Sequence, residues 1–187
     1  MDTTWLKISG YSLCFALSLI ANAIYADGKT ANFIEYQDDE VYMRLVTRTT
    51  DQLSAFYLAR EFPQKAIDEI LKTCFITPVI HNNKFEALHI EPDSWEFISD
   101  DKPIERIKRD YWKRIWTEIA LSPAHQATFG WTLMPETRDL RFDEGAGGSI
   151  VIPLQTGLFT LKASFRTGMK KDGKIKTVTF RDIACAK

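Results

Sequence analysis

A chain of 187 residues is long enough for one domain with a sizeable core. Its 45% hydrophobic and 26% charged content is ordinary for a globular protein and excludes a disordered or membrane-saturated chain. A formal net charge of −1 supplies no global field for nucleic acid or anionic membranes, so nucleic acid is not expected as a partner.

The first 26 residues have the three parts of a secretory signal peptide. Lys7 precedes the uncharged run Ile8–Ala26, its centre at Tyr11–Ile20 is apolar, and small residues offer cleavage after Ala23 or Ala26. The run approaches spanning length, so an uncleaved anchor is the rival reading. Asn22 and the small-residue end favour cleavage, and Cys14 lies inside the apolar region without the small residues a lipoprotein needs before it. The chain is therefore expected to be periplasmic or secreted, and inner-membrane anchored if the leader stays. No Asn-x-Ser/Thr sequence occurs, which leans towards a bacterial periplasm. Loss of Cys14 with the leader leaves Cys74 and Cys185, an even pair that an oxidising compartment is expected to bridge.

Asp27–Glu40 reads as a loose polar lead-in. Val41–Arg48 alternates, with Val41, Met43 and Leu45 on one side, and predicts a half-buried strand. Thr49 with Gln52 forms a capping-box pattern opening a helix through Arg60. Pro63 suits the first turn of a second helix, Gln64–Lys72, with Ala66, Ile67, Ile70 and Leu71 as its buried stripe.

Cys74–Phe97 reads as a β-hairpin with a third strand after Pro92. A three-residue turn at Asn82, Asn83 and Lys84 would set Ile76 opposite Ile90 and Pro78 opposite Leu88. One face then carries Cys74, Ile76, Ile80, Leu88 and Ile90; the other carries His81 and His89 with Phe75, Val79 and Phe85. Pro78 lacks a ladder donor, so its strand lies at an edge or faces an unpaired stretch there.

Ser99–Asp101 reads as a turn and helix cap. Ile104, Ile107, Tyr111, Ile115 and Ile119 recur at helical spacing and predict a helix over 104–121, with Trp112 and Trp116 alongside and Pro123 ending it. The last third reads as β: Phe129–Leu133, Ile150–Leu154, Phe159–Phe165 and, after a Lys170–Gly173 turn, Ile175–Cys185. Val178 and Phe180 are out of phase with Ile183 and Cys185, which predicts a bulge at Arg181-Asp182. The expected fold is mainly β with inserted helices. It is an immunoglobulin-like antiparallel β-sandwich in one exported domain, 27–187, with two or three α-helices near 50–72 and 104–121.

Chemistry-bearing motifs are scarce. His81, His89 and His125 form no His-x-His or His-x-x-x-His, no Cys-x-x-Cys occurs, and Gly-x-Ser-x-Gly is absent. Ser149 starts a strand, and Gly145–Gly148 lacks the following lysine of a phosphate cradle. Pro135–Glu144 concentrates four acids and two arginines, which suits calcium or a basic partner less well than a solvated strand connection. The basic side of 104–121, interleaved with Trp112 and Trp116, could bind a membrane surface or a partner; covering the sheet is the preferred reading.

The leading expectation is a non-catalytic periplasmic module that binds an envelope protein or helps assemble an envelope complex, without a cofactor or metal. Arg109, Trp112, Arg138 and Asp139 are its expected contact residues. Copper or calcium handling is the second expectation, and an enzyme with an unfamiliar site the third.

Overall fold

Period-two alternation of apolar residues builds two antiparallel sheets in residues 33–168 and 172–186, the part of the chain that the computed structural model describes. The leader expected over 1–26 lies outside the described residues, as do Lys170 and Lys171 of the Lys170–Gly173 turn. In chain order the first strands are β1 (Phe33–Gln37), β2 (Val41–Thr47), β3 (Thr73–Asn82), β4 (Leu88–Ile90), β5 (Glu96–Ser99) and β6 (Lys102–Ile104). They are followed by β7 (Arg138–Leu140), β8 (Gly145–Gly147), β9 (Ile150–Pro153), β10 (Phe159–Thr167) and β11 (Ile175–Ile183). The helices are α1 (Thr50–Leu58), α2 (Gln64–Leu71), α3 (Arg109–Glu118) and α4 (Pro123–Thr132).

In the first sheet β1, β2 and β3 run as a meander, and β8 and β9 share the far edge of β3. The second sheet is centred on β10, with β11 on one edge and β4 and β5 on the other; β7 extends β4 and β6 extends β5. Val41, Met43, Leu45, Ile76 and Ile80 of the first sheet pack against Ile90, Phe97, Leu161, Phe165 and Val178 of the second. The four helices cover the outer face of the first sheet, where Phe75 and Val151 meet Leu53, Tyr57, Ile67, Trp112, Trp116 and Phe129. The result is three layers: sheet, sheet, helices. Cys74 on β3 and Cys185, just past β11, are bonded (S–S 2.11 Å, Cα–Cα 5.5 Å), so the bridge ties the two sheets together.

Locally encoded features match the sequence. The Thr49–Gln52 capping box is complete, and β2 buries Val41, Met43 and Leu45. The bulge falls at Arg181-Asp182: Phe159 pairs with Ile183 but Leu161 with Phe180, and Asp182 takes up the slack at φ 54°.

Longer-range expectations need correction. The lead-in contains a strand, β1, paired along β2. No β3–β4 hairpin forms; the two strands lie in different sheets. Buried Asn82 is the cause. Its side-chain amide donates to Glu86 O (2.9 Å) and Leu140 O (3.0 Å), and its Oδ1 accepts from Lys84 N (3.1 Å), carrying the chain across the sandwich. Cys74, Ile76, Ile80, Leu88 and Ile90 do share one core, but across the two sheets and not along one face. His81 and His89 consequently lie on separate sheets. Pro78 is in an interior strand, opposite the gap between β8 and β9, where the second ladder is interrupted.

Asp100 and Asp101 cap no helix. Both have positive φ (49° and 59°), the conformation of a tight hairpin turn, and they join β5 to β6. The 104–121 segment therefore begins as strand, and its helix spans only Arg109–Glu118. Pro123 does not end the structure there: it is the first residue of α4, capped by Ser122, whose hydroxyl accepts from His125 N (3.3 Å). The Phe129–Leu133 alternation is thus the C-terminal turn of a helix and not a strand. With α4 the α-helices among the described residues number four, against the two or three expected.

Candidate functional site

Among the described residues the helix layer leaves one aromatic cleft, of about 390 Å³, between α1, the end of α4 and the outer face of the first sheet. Its formation starts from Gly148. At φ +153° a Cβ there would stand 2.7 Å from Met134 N and Cα, so only glycine lets the β8–β9 connection press against the chain leaving α4. The close approach makes a short parallel ladder: Ser149 N donates to Thr132 O (2.7 Å) and Met134 N to Ser149 O (2.9 Å). This places Trp131 and Thr132 beside β3. On the other side Arg48 N donates to Phe75 O (3.0 Å), fixing the residue that joins β2 to α1.

Buried Phe75, Leu53 and Tyr57 form the apolar floor, with Phe56 and Trp131 at the rim. Trp131 is 90% exposed, and the Arg60 guanidinium lies 3.5 Å above the Phe56 ring. The hydroxyls are spent on one another. Arg48 Nε donates to Thr77 Oγ1 (3.2 Å), which is 3.1 Å from Ser149 Oγ. Thr132 donates to Phe129 O (2.7 Å), so the Tyr57 hydroxyl donates to Thr132 Oγ1 (3.1 Å). Burial pushes Tyr57 up to about 12 despite that bond, so it stays a neutral donor. Arg48 is the one charged group lining the cleft; no His, Cys, Asp or Glu does. The chemistry on offer is stacking, apolar burial, one cation and the Gln52 side-chain amide, whose Oε1 accepts from Thr49 N (3.3 Å) and whose Nε2 makes no hydrogen bond among the described residues.

The expected contact residues are not gathered on one surface. Trp112 is only 2% exposed, which corrects its placement as a contact residue: it stacks on Trp116 (centroids 5.1 Å) and packs on Phe129 (4.7 Å). The same burial takes both tryptophans of 104–121 away from any membrane surface. Arg109 donates to Gly130 O (2.9 Å) and Met134 O (3.2 Å) and pairs with Glu136 (3.3 Å), so it caps the end of α4. Arg138 and Asp139 are exposed on β7, an edge of the second sheet; the Asp139 carboxylate is hydrogen-bonded to His89 Nδ1. His89 is otherwise buried, with Nε2 3.8 Å from Glu91, too far for a hydrogen bond.

The acids of 135–144 were expected to pair locally, but their ion pairs among the described residues reach outside the run. Glu136 meets Arg106, which also bridges Asp93, and Asp143 lies 3.4 Å from His81. Among the described residues no group of three or more His, Cys, Asp or Glu is arranged to hold a metal ion, and no helix is long and apolar enough to cross a membrane. Sequence reading missed the cleft because Trp131 counted as one inward residue of a strand. The usable signal was Ser122-Pro123, a helix start that turns Trp131 away from Phe129.

No family model and no curated protein matches the chain. Two solved structures resemble it distantly. One is a candidate lipoprotein, ycdA, from Bacillus subtilis subsp. subtilis str. 168 (TM-score 0.43, 9% identity), matched over 79% of this chain and 38% of that one. The other is the yjhA protein from Bacillus subtilis (TM-score 0.43, 7% identity), matched over 79% of this chain and 96% of that one. The chain thus spans well under half the length of the first.

Proposed function

We propose that the protein is an exported, non-catalytic recognition module of the bacterial envelope, and that it takes up a partner protein through the aromatic cleft beside α1 and α4. The observation that carries this is Trp131, held 90% exposed at the rim of a preformed apolar cleft. The non-catalytic part of this reading is supported by the lining: the Ser149 hydroxyl is tied to Thr77, and no base lines the cleft beside it. Export is supported by the leader-like residues 1–26 and by the Cys74–Cys185 bridge, a bond that persists in oxidising compartments. The immunoglobulin-like form of the sandwich is supported by that same bridge between sheets, although β1, β2 and β3 are consecutive in one sheet.

The test is affinity capture from an envelope fraction with wild-type protein and with Trp131→Ala, whose exposed side chain can be removed without opening the core. One partner retained by wild type and lost by the variant is the expected result. Equal recovery with both, or recovery of the protein alone, would overturn the proposal.

A further inference from the structure

The cleft's unspent chemistry narrows what it can recognise. Its hydroxyls on Thr77, Ser149, Thr132 and Tyr57 bond to one another or to the backbone, leaving only one hydroxyl proton of the Thr77–Ser149 pair and the Gln52 amide, too few for the many-sided pairing a sugar requires. No lining residue is acidic, so a cationic ligand would meet Arg48 without a counter-charge. Arg48 is in no ion pair among the described residues; its Nε is held by Thr77, and the rest of its guanidinium fork is not used by any carboxylate. Beside it stand Phe56, Phe75 and Trp131, ring surfaces that bury or stack a flat or branched apolar group.

We propose that the cleft binds a carboxylate carried on an apolar, preferably aromatic, group: the carboxylate on Arg48 and the apolar group between Phe56 and Trp131. One guanidinium balances one carboxylate in a bidentate pair. A phosphate monoester, with about −1.5 to −2 charge at neutral pH, would leave excess negative charge on a lining with a single cation, the Arg60 guanidinium at the rim being stacked on Phe56. The same chemistry is available from a free aromatic acid or from the C-terminal residue of a partner chain. This inference rests on the cleft being the recognition surface and specifies what that surface reads.

Calorimetric titration of the purified protein distinguishes these cases. The probes are indole-3-acetate and 3-phenylpropionate, each against its primary amide, and an acetylated tripeptide ending in phenylalanine with a free or an amidated terminus. In at least one probe class the acid is expected to bind tenfold or more tightly than its amide. Arg48→Gln should erase that ratio, while Trp131→Ala should weaken acid and amide alike. Binding of the tripeptide alone identifies a chain terminus as the source, and binding of the small acids alone identifies a free metabolite; either outcome upholds the carboxylate chemistry. Acids and amides binding equally, an acid preference that survives Arg48→Gln, or no binding of any probe at millimolar concentration would overturn it. A partner captured in a Trp131-dependent way without any acid preference would sink this inference and leave the recognition role standing.

Discussion

Removing the Cys74–Cys185 bridge should cost at least about a third of an ordinary domain's ~5–15 kcal/mol margin of stability, and the size of the loss follows from the topology. The bond spans 111 residues, from the third strand of the first sheet to just beyond the last strand of the second. In the chain-entropy treatment, closing a loop of that length withdraws roughly 16 cal/mol/K from the unfolded chain, or about 5 kcal/mol at 25 °C. A domain of this size loses roughly 2–4 °C of melting temperature per kcal/mol, so a fall of about 10–20 °C is expected. The perturbation is the double variant Cys74→Ala, Cys185→Ala, run beside wild-type protein with and without reductant. Alanine is chosen because Cys74 is buried and a serine hydroxyl there would add a separate desolvation cost. Thermal and urea melts followed by circular dichroism provide the readout. Reduced wild type and the double variant should fall together, and their urea m-values should rise because the freed unfolded chain exposes more surface. A shift below about 3 °C with an unchanged m-value would refute the reasoning, since the constraint would then not be acting on the unfolded state.

Two further predictions concern the joints that position the cleft and close the sandwich. Gly148→Ala sets a Cβ 2.7 Å from Met134 N and Cα and should destabilise the fold by about 2–3 kcal/mol in urea melts; a loss under about 0.5 kcal/mol would contradict the close approach. At the opposite joint, Asp38 in the β1–β2 turn reaches Lys176 on β11, and so ties one sheet to the other. Burial alone would raise the Asp38 carboxyl. The hydrogen bond from Lys176 and the N–H groups of Val41 and Glu40 (2.9 Å each) outweigh it and hold the group well below the usual carboxylate range. A depressed folded value gives stability that is present above the unfolded pKa, near 3.8, and lost as the pH falls through the folded one. Burial lowers Lys176, but Asp38 and Glu40 raise it further, so its share is present below about 10.5 and lost as the pH climbs past its raised value. Asp38→Asn should therefore cost about 2 kcal/mol at pH 7 and progressively less below pH 4; urea curves for the two proteins that stay parallel from pH 7 to pH 2 would count against the pairing.

How far each element was legible depended on how local its cause was. The Thr49–Gln52 box, the β2 alternation and the bulge at Arg181-Asp182 are each settled by residues within a few positions, and each appears where it was read. The Cys74–Phe97 segment shows the limit. Its inward-facing residues were identified, yet a pattern of period two states which side of a strand is apolar and not which strand lies beside it. The pairing was decided by Asn82, whose amide is satisfied by Glu86 O and by Leu140 O, 58 positions away. A buried amide with a distant partner leaves no periodic trace. Trp112 illustrates a second limit: the isoleucines of 104–121 have helical spacing, but the larger tryptophans took the buried face and left Ile107, Ile115 and Ile119 partly covered.

The cleft was the least legible feature because it is made by an exclusion. Phe75 offers the outer face of the first sheet an apolar surface, and Trp112 and Phe129 pack against it from the side of α3 and α4. Beyond Phe129, α4 ends and the chain is drawn onto the sheet by the Ser149 ladder, which Gly148 alone permits. At that point Trp131 is two positions past Phe129, roughly 200° round the helix, and so cannot turn inward with it. The gap it leaves is bounded by α1, whose own register is set by the Thr49 cap immediately after Arg48. A helix cap, a glycine and a helix end, none of them chemical in itself, therefore determine that one guanidinium faces an open aromatic rim. A search for catalytic or metal-binding spacing would pass over such a site, because its specificity lies in what the folded chain leaves unspent.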